Sequence, residues 1–321
     1  MQNKGAYGAA SHILDYILGI TYEIWEEGGV DLIRQYYGDN CVVYAMDGLT
    51  RGAETVINQT RAMLEAFPDR RLLADNVVYG REPSGADYTS HRLISTMTHQ
   101  GAGPLGPATG KAVRLMNIAD CEVHDGVIKR EWLVRDSLTL AQQLGLDPIT
   151  QARRLRAGRT AEHGQWLSDE HDRVSAAAPP AAADETTTLA WQILTSHFAG
   201  DPEAFRASHA PYCVLHRSPL EQRSGWDAVF GHYEELRAQL GDVKVSVDHV
   251  VRHSWCDDGL DMAVRWTAAG HHQAPLQGEE PSGQPLLILG VSHFRCLAGR
   301  VITNHTVFDR LALLSQAVGD D

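Results

Sequence analysis

Two histidine–aspartate pairs stand out in the 321-residue sequence: His99 with Asp136, and His272 with Asp309, each 37 residues apart. Each aspartate closes a stretch of strand-like alternation, after Trp132 and Val134 in one half and after His305 and Val307 in the other. Period-2 alternation puts each aspartate on the face of those neighbours, an apolar face expected to be the concave one. A carboxylate held there is desolvated and its pKa rises, which suits proton abstraction beside a carbonyl near neutral pH. The structural alternative is an N-cap or ion pair at the strand end, since LeuThrLeu follows Asp136. His99 and His272 could orient the aspartate, donate to a developing enolate oxygen, or bind substrate; the alternative is an inert, hydrogen-bonded strand end.

Around these groups, Tyr44, Tyr79, Trp132 and Met97 would line a first pocket, and His216 and His305 a second. Aromatic walls suit a planar hydrophobic ligand and equally make an ordinary core. His305 shares a face with Asp309 at about 13 Å, too far for direct contact. No motif with established metal-ligand spacing occurs, and GxSxG, P-loop and strand-borne GxGxxG signatures are absent. Neither a metal nor a cofactor is therefore expected.

The elements that must position these residues occur twice. Residues 10–27 carry apolar positions at helical spacing, and Asp31 fits the N-cap of a short helix to Tyr37. Residues 41–45 read as a strand and 52–66 as a helix ended near Phe67–Pro68. Strands follow over 72–79, 88–99, 113–123 and 128–136, the last two joined by a turn at His124–Asp125–Gly126. A short terminal helix or turn carries Leu138, Leu140 and Leu144. Helices first and then an antiparallel meander make an α+β domain. Shifting the chain by 173 residues superposes Gly52 on Gly225, Asp75 on Asp248, Arg92 on Arg265, His99 on His272 and Asp136 on Asp309 without a gap. A period this long is a domain duplication rather than a solenoid. The domains expected are 1–147 and 185–321, joined over 148–184 by a linker with a surface helix near 149–174 and an Ala/Pro tract at 176–184.

Composition narrows the partners. A net charge of −13 argues against nucleic acid or an anionic membrane, and the Arg-rich stretch at 153–159 reads as a solvated helix face. Five cysteines without a CxxC pair read as buried reduced thiols in a reducing compartment. With no signal-like N-terminus and no run near eighteen apolar residues, a cytoplasmic location is expected.

Three segments carry a family resemblance: AlaPheProAspArg (66–70), MetThrHisGlnGly leading to LeuGlyProAlaThrGly (97–110), and the 123–145 ending that contains AspGlyValIleLysArgGluTrp and AspSerLeuThrLeuAlaGlnGlnLeuGly. They resemble the SnoaL-like polyketide cyclase family, within the group of domains shaped like nuclear transport factor 2. The second copy keeps HisHisGln (271–273), ProSerGly (281–283) and ValPheAspArgLeuAlaLeuLeu (307–314), but has His305 for Trp132 and GlnLeuGlyAsp (239–242) for the first motif. The resemblance implies two cones, each a curved antiparallel sheet with helices on its concave side and an apolar pocket at the mouth. It also implies that the family's acid/base aspartate falls on Asp136 and Asp309. The expected activity is cofactor-free acid/base chemistry on a hydrophobic carbonyl compound: aldol-type cyclisation, isomerisation or hydration. The alternatives are a non-catalytic ligand-binding or scaffold protein built as an intramolecular pseudo-dimer (or assembled as a homodimer), and an epoxide-hydrolase-like enzyme, for which no Asp-Arg-Asp set can be assembled.

Overall fold

The computed structural model describes residues 12–177, 184–218 and 221–319. It divides into two compact units, Met1–Asp147 and Pro148–Asp321. Most of the Ala/Pro tract (178–183) lies outside the described residues, as do positions 10 and 11 of the first expected helix.

In unit 1, helix α1 (Ile13–Thr21) runs into a π-helical turn (Tyr22–Glu26), and a 3-10 turn (Val30–Leu32) leads into α2 (Ile33–Tyr36). Strand β1 (Tyr37–Ala45) forms a hairpin with β2 (Gly48–Arg51), and α3 (Ala53–Ala66) follows. Four long strands come next: β3 (Arg71–Arg81), β4 (Asp87–Thr98), β5 (Ala112–His124) and β6 (Val127–Arg135), closed by α4 (Ser137–Leu144). Asp125 and Gly126 both have positive φ, 50° and 72°, the backbone that a two-residue hairpin requires. The sheet order is β2-β1-β6-β5-β4-β3. It is not wholly antiparallel as expected, because β1 runs parallel to β6. The long connection between them, β2, α3 and β3–β5, allows that crossover, which a hairpin could not make.

Directly paired residues share a face of a sheet. In unit 1 this defines rows across the helix-covered face: Val43–Glu131–Cys121–Thr89–Tyr79, then Leu133–Ala119–His91–Val77, then Arg135–Asn117–Leu93–Ala74. Val43 and Cys121 of the first row, with Tyr79 packed against them, belong to an apolar cluster with Ile17, Ile20, Ile24, Ile33, Tyr36 and Ile57 from the helices and Tyr37 of β1. A second cluster joins Ala66, Phe67, Met97, Val113, Leu115, Leu140 and Leu144. Between the two clusters the face turns polar.

Unit 2 opens with α5 (Pro148–Ala157) and α6 (Ala161–Ser175). They fill most of the expected linker, with α5 against the final helix and α6 against the sheet. Then α7 (Glu185–Phe198), α8 (Pro202–Ser208), β7 (His209–Ser218), β8 (Glu221–Ser224), α9 (Trp226–Leu240), β9 (Lys244–Cys256), β10 (Gly259–His271), β11 (Pro285–Leu297), β12 (Arg300–Phe308) and α10 (Arg310–Ala317) repeat the first plan. The sheet order, β8-β7-β12-β11-β10-β9, is the same. Among the described residues no helix is long and apolar enough to cross a membrane.

The core of unit 2 holds uncharged histidines. Burial pushes His209 down to about 4. Burial, helped by Arg217, pushes His232 to about 3, and His197 falls well below its usual value for the same first reason. Each neutral form is favoured by folding, so its contribution is complete above the unfolded value near 6.5 and is lost as pH falls towards the folded value. Denaturant unfolding should show unit 2 losing roughly 2 kcal/mol through His209 alone between pH 7 and 5. His209→Gln should flatten that slope; an unchanged slope would contradict the assignment.

Candidate active site

A cleft of about 700 Å³ opens in unit 1 between the α1–π turn segment and β3, with Leu18, Tyr22, Leu72, Ala74 and His91 among its lining residues. His91 and Ala74 are members of the central rows, so the cleft reaches the polar part of the helix-covered face.

Buried polar atoms there without a hydrogen-bond partner among the described residues include His91 Nε2, Asn117 Oδ1 and Arg70 Nε. Such atoms are rare in folded proteins and each calls for a ligand, a water or a strain account. Burial lowers His91 to about 4, so its imidazole is neutral at physiological pH. Asn117 donates its amide to Ser95 Oγ, leaving the carbonyl oxygen turned to no donor. Arg70 immediately precedes β3, and alternation with Leu72 gives it the same face.

At the other end of the face, Glu131 is 6% exposed. The Tyr37 hydroxyl donates to its Oε2 at 2.8 Å. Burial raises the Glu131 carboxyl above the usual range, while the Tyr37 hydrogen bond and the charge of Arg135 oppose the rise. Tyr37 itself is held well above its usual value, first by burial and then by Glu131, and stays a donor. Alternation had pointed to the wrong parity here. Glu131 and Leu133 face the helices, whereas Trp132 and Val134 face away.

The expected site residues disperse accordingly. Trp132 stacks on Tyr44 at 5.4 Å, and the pair lies on the face opposite the helices. His305 stacks on His216 at 4.4 Å on the equivalent face of unit 2. These four therefore do not lie on the helix-covered face where the pockets were expected. Tyr79 does lie on the helix-covered face, at the end of the Glu131 row, and Met97 belongs to the second apolar cluster.

Asp136 is the N-cap of α4, accepting from Thr139 N at 3.3 Å and Thr139 Oγ1 at 2.7 Å. Asp309 caps α10, accepting from Leu311 N and Ala312 N, both at 3.0 Å. His99 clamps a loop: its N donates to Lys111 O, its O accepts from Gly110 N, Nδ1 lies 3.2 Å from Thr109 Oγ1, and the ring stacks on Phe67. His272 repeats the clamp with Gln284, Gly283 and Ser282. The Nε2 atom of each is buried without a partner among the described residues. These four residues act alike in both units.

The central rows do not. Where unit 1 has Glu131, His91, Asn117, Arg135 and Arg70, unit 2 has Asn304, Val264, Gly290, Phe308 and Val243. Leu93 becomes Trp266, which is 1% exposed and packs against Phe198 and Phe308. Its ring occupies the space over Gly290, where an added Cβ would lie 2.3 Å from the indole. The polar atoms that remain are paired: Trp266 Nε1 donates to Ser292 Oγ at 3.0 Å, Asn304 Nδ2 donates to the Tyr233 hydroxyl at 2.7 Å, and the Thr306 hydroxyl donates to Asn304 Oδ1. Aromatic side chains fill the concave face of the second unit. Among the described residues of either unit, no group of three or more His, Cys, Asp or Glu side chains could hold a metal.

The family model for SnoaL-like polyketide cyclases matches residues 16–144 and again 190–317. The chain belongs to the SnoaL-like polyketide cyclase family. Solved structures similar to it include IdmH from Streptomyces antibioticus (22% identity, 41% of this chain and 98% of that one, TM-score 0.36). A SnoaL-like polyketide cyclase from Agrobacterium tumefaciens matches at 19% identity over 42% of this chain and 99% of its own, with a TM-score of 0.36. TsrD from Streptomyces laurentii matches at 19% over 42% and 98%, also at 0.36. No curated protein matches the chain. This family member thus carries two copies of the domain, one with a polar concave face and one with an aromatic filling.

Two substitutions test these assignments. Asp136→Ala should cost about 1 kcal/mol in a denaturant melt, and Asp136→Asn little, because asparagine caps as well as aspartate. A large loss in the Asn variant would mean that the carboxylate does more than cap. Gly290→Ala should destabilise unit 2 by roughly 1–3 kcal/mol, the usual range for overpacking. A neutral result would show that Trp266 has room to move.

Proposed function

We propose that unit 1 is a cofactor-independent acid/base enzyme for a hydrophobic carbonyl compound, and that unit 2 is a non-catalytic copy serving as scaffold. The observation that carries this reading is Glu131: a carboxylate on the helix-covered face, raised by burial and held by Tyr37. Family membership supports a cyclase-like reaction, and aldol-type cyclisation is the form that fits best, with isomerisation or hydration using the same groups. The ionised Glu131 takes the proton from the carbon next to a carbonyl. The electron pair left behind forms an enolate, which attacks a second carbonyl carbon and makes the new C–C bond. The alkoxide so formed takes the proton back.

A base whose pKa lies above the ordinary carboxylate range keeps more driving force for that first transfer. The neutral imidazole of His91 supplies a donor to the enolate oxygen when the tautomer carries hydrogen on Nε2. Asn117 Oδ1 accepts from a hydroxyl of the ligand. The substrate is a small apolar molecule; the cleft of about 700 Å³ falls within the usual range for small-molecule pockets. Asp136 and His99 support the site by fixing α4 and the loop from 99 to 111, and they do not touch the reacting atoms.

The scaffold reading of unit 2 rests on Trp266, Phe308 and Phe294, which leave its central rows closed. In a turnover assay, Glu131→Gln should lose about 10² to 10⁴ in kcat. The wild-type rate should rise with pH through the raised Glu131 pKa, since only the ionised form is a base. Turnover that survives Glu131→Gln but disappears in Asp136→Asn, with both variants folded, would return the base to Asp136.

A further inference from the structure

Arg70 and Arg135 form an unusual pair. Arg135 ends β6 on the helix-covered face, opposite Asn117. Its Nη2 lies 3.2 Å from Asp47 Oδ2, with both side chains about 30% exposed. Arg70 makes no ion pair among the described residues, and its Nε is buried without an acceptor. Burial lowers the Arg70 guanidinium to about 10, and the nearby charge of Arg135 lowers it further in the same direction. Two neighbouring cations repel each other, and an anion between them offsets that repulsion. Unit 2 has removed both, with Val243 and Phe308 at the equivalent positions.

We propose that Arg70 and Arg135 bind a carboxylate of the substrate, so that the carbonyl compound processed by unit 1 is a carboxylic acid. This rests on the reading of unit 1 as the active unit and adds the substrate class. A guanidinium offers parallel N–H donors that match both oxygens of a carboxylate, and Arg70 Nε is such a donor with nothing to donate to. The third row, Ala74–Leu93–Asn117–Arg135, runs from a cleft-lining residue to the cation. A ligand lying along that row places its carboxylate at the arginines and its apolar body on Leu93. The exposed Asp15 at the cleft rim opposes the anion only weakly, because solvent and salt screen it.

Calorimetric titration of the whole protein with 1-naphthoate and with its uncharged counterpart 1-naphthamide tests the assignment. We expect naphthoate to bind at one site per chain, and naphthamide at least about tenfold more weakly. Arg70→Met should remove that preference, and Arg70→Lys should restore part of it. Absence of saturable naphthoate binding, two sites per chain, equal affinities for acid and amide, or a preference that survives Arg70→Met would overturn the proposal. 1-Naphthyl phosphate binding more tightly than naphthoate would overturn the choice of carboxylate. Glu131→Gln separates the two readings: it should keep the preference for the acid. If it also keeps turnover, the acid/base reading fails while the anion site stands.

Discussion

A polar atom placed on the dry side of the curved sheet must find a partner, and the character of each unit follows from how that demand is met. In its central rows unit 2 meets it internally. Asn304, Tyr233 and Thr306 bond to one another, Trp266 bonds to Ser292, and the remaining central positions are apolar. The polar band of unit 1 does not, since His91, Asn117 and Arg70 each keep an atom without a partner among the described residues. An unmade buried hydrogen bond costs about 1–3 kcal/mol, so such a band is sustained by what enters the cleft, whether water or ligand.

The duplication separates architecture from chemistry. Asp136 and Asp309 cap equivalent helices, and His99 and His272 clamp equivalent loops. Unit 2 performs both tasks with its concave face filled, so neither task requires an open pocket. Recurrence of a His and an Asp in both halves therefore marks what the fold needs. On the proposed reading, the residues that differ between halves, Glu131 against Asn304 and His91 against Val264, mark what the pocket needs. Where unit 1 has Leu93 beside Asn117, unit 2 has Trp266 beside Gly290: volume is added on one strand and removed on its neighbour.

Much of the fold was legible in the residues. The 173-residue repeat, the Asp125–Gly126 hairpin and the strand spans of unit 1 all depend on local pattern, which sequence displays directly. The side of β6 that faces the helices was not legible. Val134 and Ile118 are buried on the face away from the helices, at 2% and 0% exposure, while Glu131 and Arg135 lie on the face towards them. Apolar alternation marks the pocket side only when the other side is wet, and here it selected Trp132 and Asp136 over Glu131. The parallel pairing of β1 with β6 was hidden for a different reason, since it depends on where α1 and α2 lead the chain. The one sequence signal that could have found Glu131 was a lone acidic residue, four before Arg135, in a strand whose repeat carries Asn304 and Phe308.

Arg135 links the two ends of the proposed site. Its charge lowers the Glu131 carboxyl against the stronger effect of burial, and it lowers Arg70 from the other side. An anion between the two arginines would neutralise part of that field. Arg70 would then rise towards its ordinary value, and Glu131, relieved of part of the cation's pull, would rise as well. A carboxylate substrate would thus make its own base stronger on binding, by electrostatics alone and without movement of the sheet. An uncharged analogue filling the same space would leave Glu131 under the full field of Arg135, a weaker base beside the same carbon.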